Sequence, residues 1–163
     1  MSYTERQSAA VPVWVLPVIT AGLAGALVDA IYFSAKAVLM NMSPAYVLRS
    51  IATFWQGPTA MSGGVPSAAI GAATHVALAI AMAFGFYLAR PRLAVLRGSV
   101  LLAGLIYGLF LYVVMYLIVL PIRWPSLFPQ FDGWNGVQDV AAHIAVGITF
   151  AYLLRERSRP AFA

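Results

Sequence analysis

Cysteine is absent from this sequence, and only five of its 163 residues are acidic. Without cysteine the chain has no disulfides, no thiol nucleophile and no thiolate metal site. Charged residues of both signs amount to 9%, against 62% hydrophobic residues and a mean hydropathy of +0.85. That composition excludes an ordinary soluble domain and indicates an integral protein of the lipid bilayer.

Apolar runs long enough to cross a bilayer occur at four places in the chain. They predict spans over residues 13–39, 67–89, 99–120 and 137–154. Because backbone polar groups in lipid must be satisfied within their own segment, each span is expected to be a helix. The predicted fold class is an all-α bundle of four transmembrane helices, forming a single membrane domain over residues 1–163.

Two connections between the spans are rich in proline, glycine and aromatic residues. Residues 44–56 follow an N-cap signal at Ser43 and predict a short amphipathic helix lying on the membrane surface. The return over residues 57–66 either turns into the next span or dips toward the bundle, and we favour the turn. The later connection is more typical of an aromatic belt than of a binding cage, and contains Trp124, Phe128, Phe131 and Trp134.

Basic residues follow the span ends and do not form one face, so the net charge of +5 does not indicate nucleic-acid binding. Most of them lie at one end of the predicted bundle: Arg6, Arg90, Arg92, Arg97, Arg155, Arg157 and Arg159. Arg49 and Arg123 lie in the other connections, and Lys36, near a span end, is expected to extend outward. The positive-inside rule then places both termini in the cytoplasm.

The second and fourth spans each carry one histidine, His75 and His143, in a similar apolar setting. Each histidine follows two small residues and precedes a β-branched residue and an alanine. Aligning the two halves of the chain pairs Gly22 with Gly104 and leaves Asp29 opposite Leu111. If the halves are duplicated, the acid is a specialisation of the first half.

A stripe of residues along the first span is the next candidate feature. Spacings of three and four predict one helix face through Gly22, Gly25, Asp29, Tyr32 and Lys36. A carboxylate within a membrane costs several kcal/mol unless it is paired or neutralised. Asp29 is therefore expected to face the interior and to meet one of the histidines or Lys36.

These positions predict a titratable cluster of Asp29, His75 and His143 at one membrane depth. Tyr32, Lys36 and Asp139 are its predicted supporting residues. Asp139 precedes His143 by four residues, so it either caps its helix or orients the imidazole. The structural alternative is that Asp29 is a polar clamp between helices, with no further role.

Small residues along the spans predict close contacts between helices. The residues singled out for packing are Gly22, Gly25, Gly71, Gly104, Gly108 and Gly147. Gly104 and Gly108 form a GxxxG pair, which predicts either a core contact or the interface of a homo-oligomer.

One family resemblance is carried by Asp29 in the first span and by a glycine-rich run that ends at a histidine. The run contains Ile51, Ala52, Gly57, Ala60, Gly63, Gly64, Gly71 and His75, and is followed by Gly104, Gly108, Val114 and Met115 before Pro121. This arrangement resembles the YagU-like family of small bacterial inner-membrane proteins, over the first three spans and both connections. The resemblance implies about four spans. That family has no established biochemical activity, a role in acid tolerance is proposed for one member, and the resemblance supplies no catalytic residues.

Three functions are compatible with these residues. The first is a non-enzymatic, proton-responsive membrane protein, because imidazole titrates near physiological pH and interacting groups titrate together. The second is an electron carrier with a b-type haem, ligated by His75 and His143 from parallel spans. The third is an accessory subunit of a larger membrane complex. An enzyme is not favoured, because no nucleophile stands at a suitable spacing from a base. A zinc site would need a further ligand beyond the two histidines and Asp29, or an open position.

Overall fold

The computed structural model describes residues 11–129 and 133–155. Four residues used above, Arg6, Phe131, Arg157 and Arg159, lie outside these ranges. Within them the chain folds into helices and contains no strand, which confirms the predicted all-α fold class. The helices are α1 (Val15–Leu39), α2 (Pro44–Gln56), α3 (Gly64–Ala89), α4 (Val100–Arg123) and α5 (Gly133–Leu153).

Four of these helices, α1, α3, α4 and α5, are long and apolar enough to cross a membrane. Three spans extend past their predicted boundaries. α3 begins at Gly64 and α5 at Gly133, a few residues before the predicted starts. α4 runs through Pro121 to Arg123, and Pro121 follows directly after a π-helical segment, Val113–Val119.

The bundle has two chemically different ends. The arginine end carries the short connection from α3 to α4, with Arg90, Arg92 and Arg97, and it also carries Arg155 after α5. The loop end carries α2 and the segment that joins α4 to α5. The apolar core lies toward the arginine end and includes Val18, Phe86, Leu96, Tyr107, Phe150 and Leu154. Large buried side chains therefore seal that end of the bundle.

α1 occupies the middle of the bundle, where it packs against α3 on one side and α5 on the other. α4 packs mainly along α5. α3 and α4 meet near the arginine end, where the Tyr107 hydroxyl donates a hydrogen bond of 2.7 Å to the Met82 carbonyl oxygen. The Phe86 and Tyr107 rings also meet there, edge to face, with centroids 5.0 Å apart.

α2 spans the predicted residues 44–56, but it packs on the bundle as well as facing its surroundings. Ala52 is fully buried, and the Leu48 carbonyl oxygen lies directly against Gly71 of α3. Trp55 Nε1 donates to Thr74 Oγ1 at 2.9 Å. The expectation of a helix lying only on the membrane surface was therefore incomplete, since glycine at position 71 lets the α2 backbone approach α3 closely.

The return after α2 forms a 3-10 turn over Gly57–Ser62. Ala60 is buried, whereas most of its neighbours are exposed. Ser67 Oγ donates to Gln56 Oε1 at 2.7 Å, which ties the start of α3 to the end of α2. The segment therefore turns into α3, as favoured from the sequence, and packs beside α2 and α3.

Glycines lie at the closest helix contacts. A Cβ added at any of six positions would collide with a neighbouring helix: Gly22, Gly25, Gly71, Gly104, Gly108 and Gly147. Gly104 and Gly108 face α5 of the same chain, at Ile148 and at His143 and Ile144. The GxxxG pair is thus occupied inside the bundle, and the argument from this pair for a homo-oligomer no longer holds.

Candidate functional site

α1 presents polar side chains to two different neighbours. Ala26, Asp29 and Phe33 contact His75 of α3. Tyr32 and Lys36 instead contact the carboxylate of Asp139 of α5. The stripe predicted from the sequence is therefore divided into two clusters, one that contacts α3 and one that contacts α5.

His75 is held by three contacts with α1. Its Nε2 lies 3.1 Å from the carbonyl oxygen of Ala26. Its Nδ1 lies 3.8 Å from Oδ2 of Asp29. Phe33 packs against the imidazole edge to face, with ring centroids 5.4 Å apart and planes at 88°. These contacts fix both the position and the orientation of the ring.

The contact with Ala26 determines which nitrogen of His75 carries a proton. A carbonyl oxygen only accepts hydrogen bonds, so Nε2 must be the protonated donor. In neutral His75 the nitrogen facing Asp29 is then Nδ1 with a lone pair. An ionised Asp29 would repel that lone pair, whereas a proton on either partner makes the contact favourable. The 3.8 Å separation is an electrostatic contact, longer than a hydrogen bond, and it is favourable when either Asp29 or Nδ1 carries a proton.

A second cluster joins α1 to α5 near the loop end. Lys36 Nζ forms an ion pair with Asp139 Oδ1 at 2.7 Å. The Tyr32 hydroxyl donates to the same oxygen, and Lys36 Nζ donates to the Tyr32 hydroxyl at 3.1 Å. Asp139 is one of two buried polar residues within the described ranges. Lys36, expected to extend outward, turns inward because a buried carboxylate needs a compensating charge.

His143 lies between this cluster and α4. Its Nδ1 donates to the Asp139 carbonyl oxygen at 2.8 Å. Its ring meets Tyr112 and Tyr116 edge to face, with centroids 5.8 and 5.5 Å away. Asp139 therefore orients the imidazole through its backbone, while its carboxylate binds Tyr32 and Lys36.

A π-helical segment in α4, Val113–Val119, positions the tyrosines beside His143. The Leu120 N–H donates to Met115 O, five residues back, as the wider π-helical turn requires. Tyr112 and Tyr116 stack with centroids 4.8 Å apart. The sequence does not predict this segment, because the same apolar run would also be expected in a regular α-helix. Such segments occur often at functional sites.

A cavity of about 200 Å³ opens at the loop end between α1, α4 and α5, and all three helices contribute to its wall. Its lining comprises Lys36, Met40, Tyr116, Phe128, Asn135, Gly136 and Asp139. Phe128, predicted as part of an aromatic belt, instead packs edge to face on Tyr116 in this wall. Trp134 is 73% exposed, as a belt residue would be.

The six residues predicted from the sequence thus fall into two linked groups. Asp29 and His75 form one pair, and Tyr32, Lys36 and Asp139 form the other cluster. His143 contacts the second group, and among residues 11–129 and 133–155 no hydrogen bond or ion pair joins it to His75. Asp29 nevertheless lies within electrostatic range of both His143 and Asp139.

The histidines do not fit axial ligation of one haem iron. His75 Nε2, the ring nitrogen farther from its own backbone, is bound to the Ala26 carbonyl oxygen. His143 packs against tyrosines of α4, whereas His75 packs against α1, so the rings serve different contacts. Among residues 11–129 and 133–155, no three His, Asp or Glu side chains are grouped to hold a metal ion.

Comparison with protein-family models, with curated proteins and with solved structures found no match to this chain. The proposed function therefore rests on the four membrane-compatible helices and on two polar clusters, the Asp29–His75 pair and the cluster of Tyr32, Lys36 and Asp139.

Proposed function

We propose that this multi-pass membrane protein responds to protons through the Asp29–His75 pair. The observation that carries the proposal is the 3.8 Å separation of Asp29 Oδ2 from a His75 Nδ1 whose partner nitrogen is committed to Ala26. With one proton the pair is electrically neutral. Gain or loss of a proton leaves a net charge between α1 and α3, in a region where uncompensated charge is costly.

Neighbouring charges make this response a property of the whole polar region. Asp139 and His143 on α5 interact electrostatically with Asp29. Tyr32 on α1 interacts with both Asp29 and Asp139. Interacting groups of this kind titrate as a unit. Acidification adds positive charge between α1 and α3, and we expect this uncompensated charge to weaken the packing of the two helices, although the His75 Nε2–H still donates to the Ala26 carbonyl oxygen.

The arrangement also supports a direction for proton entry. Lys36, Asp139 and the cavity lie at the loop end, while the apolar core fills the arginine end. The arginines predict that both termini are cytoplasmic. In a bacterial inner membrane the loop end would then face outward, and protons would enter from outside. The acid tolerance proposed for one member of the YagU-like family, which the sequence resembles, would agree with such a response.

The first prediction concerns the pH dependence of stability in detergent. Between about pH 4 and pH 8, where carboxyl and imidazole groups titrate, the native protein should show a stability profile that Asp29→Asn and His75→Gln each flatten. Both substitutions remove a proton site and keep a similar shape. Thermal unfolding followed by circular dichroism provides the measurement.

Asp29→Leu is a third test variant, because Leu111 occupies the corresponding position of the second half. We expect this variant to fold and to lose the same pH response. Native pH dependence in all three variants would disprove the proposal.

A further inference from the structure

The cavity at the loop end has a composition that selects for a particular ligand chemistry. We propose that it binds a small zwitterion carrying a primary ammonium and an acidic group. Asp29 and His75 do not line this cavity, and the ligand is argued from the residues that do.

Charge is the first argument for this ligand class. Lys36 and Asp139 contribute one positive and one negative group to the wall and pair with each other at 2.7 Å. A ligand with a single charge would leave one wall residue uncompensated, which is costly for a buried group. A ligand with both charges replaces one ion pair by two, placing its ammonium on Asp139 and its acidic group on Lys36.

The remaining wall residues agree with a cationic group beside Asp139. Tyr116 and Phe128 form an aromatic corner with ring centroids 5.8 Å apart. Aromatic faces attract ammonium groups electrostatically. Met40 adds a polarisable thioether to the same lining.

The volume of the cavity limits the ligand to a small molecule or a headgroup. The cavity of about 200 Å³ is smaller than the roughly 300 Å³ at which pockets for drug-sized molecules begin. Lys36 lies three residues before the end of α1, about 5 Å along the helix axis from Leu39. This depth is that of lipid headgroups, so the zwitterion has two sources: the phosphoethanolamine headgroup of a lipid, or a free molecule such as phosphoethanolamine.

Gly136 provides a direct test, because it lines the cavity and faces open space. A Cβ added there would meet no atom within 4 Å. Gly136→Leu should therefore fill the cavity without disturbing the fold, and Gly136→Val is a smaller alternative if leucine impairs expression. Gly98→Leu at the arginine end, where an added Cβ finds its nearest atom at 3.9 Å, is the matched control.

The second prediction is that native mass spectrometry detects phosphatidylethanolamine retained in preference to phosphatidylglycerol, which has no ammonium group. Phosphatidylcholine should also be retained less, because its quaternary ammonium cannot donate a hydrogen bond to Asp139. We expect Gly136→Leu to weaken retention about tenfold, equivalent to about 1.4 kcal/mol. Gly98→Leu should leave retention unchanged.

Isothermal titration with free phosphoethanolamine distinguishes the two sources. Binding that Gly136→Leu abolishes would support a soluble zwitterion, whereas lipid retention alone would support a headgroup. Equal retention of the three lipids together with no binding of phosphoethanolamine would overturn the proposal. Binding in either experiment that survives unchanged in both Gly136 variants would overturn it as well.

Discussion

At the level of single residues, Lys36 and Asp139 form an ion pair in which loss of either partner leaves the other charge unpaired. Asp139 is 8% exposed, and its Oδ1 accepts bonds from both Lys36 and Tyr32. Removing the lysine would leave a buried carboxylate without its charged partner. Replacing both charges by apolar groups removes that penalty, because no unpaired charge remains.

The third prediction is that Lys36→Met lowers the free energy of unfolding by about 2 kcal/mol, the usual cost of an unsatisfied buried group. The double variant Lys36→Met, Asp139→Leu should recover most of the loss. Thermal unfolding in detergent measures both, with Arg97→Met, at an exposed position, as the control. A double variant no more stable than the single one would contradict this account.

The partners of Asp29 and Lys36 could not be chosen from the sequence alone. At about 100° per residue, the predicted stripe covers only about 80° of the helix surface. Gly22 and Asp29 lie on the side that the structure turns toward α3, whereas Gly25 and Tyr32 lie on the side toward α5. A narrow stripe was therefore correctly predicted, but its division depended on where the neighbouring helices pack.

At the level of helices, the two halves of the chain make the same close contact. Gly22 of α1 meets the backbone of Ile80, five residues after His75. Gly104 of α4 meets the backbone of Ile148, five residues after His143. The alignment of Gly22 with Gly104 drawn from the sequence thus corresponds to equivalent positions in two helix pairs.

The fourth prediction follows from this equivalence. Gly22→Leu and Gly104→Leu should each destabilise the protein by about 3 kcal/mol or more, because the added side chain meets backbone that cannot move aside. Size-exclusion profiles and thermal unfolding report the loss. Gly136→Ala, with open space around its Cβ, should remain close to wild type. A small effect at Gly22 or Gly104 would show that these helices can separate without cost.

Other elements carried weaker signals in the sequence. α2 was predicted from its N-cap signal and amphipathic pattern, and Ser43 Oγ does accept a hydrogen bond from the Ala45 N–H at 3.2 Å. Its packing on α3 depends on Gly71, a residue distant in the sequence. The π-helical segment depends on tertiary contacts of Tyr112 and Tyr116 with His143, which no local pattern reports.

For the whole molecule, the four spans were predictable because hydropathy alone determines which segments can enter lipid. Orientation remains a prediction from the arginines. The chain has no cysteine, so single cysteines introduced into it can be labelled without interference. Thr59 and Ala94 are exposed at opposite ends and provide suitable positions.

The fifth prediction is that Thr59→Cys reacts with an impermeant maleimide in intact cells, whereas Ala94→Cys reacts only after permeabilisation. This outcome follows if the arginine end faces the cytoplasm. The cysteine-free parent protein is the control for background labelling. The reverse pattern would invert the proposed direction of proton entry.

The two glycine contacts also bear on how the chain is made. Each joins spans that follow one another in the chain, α1 with α3 and α4 with α5. The first hairpin can therefore assemble while the ribosome is still translating α4, without waiting for distant segments. The Asp29 carboxylate would meet His75 at that stage, and so would be sheltered from lipid before synthesis is complete.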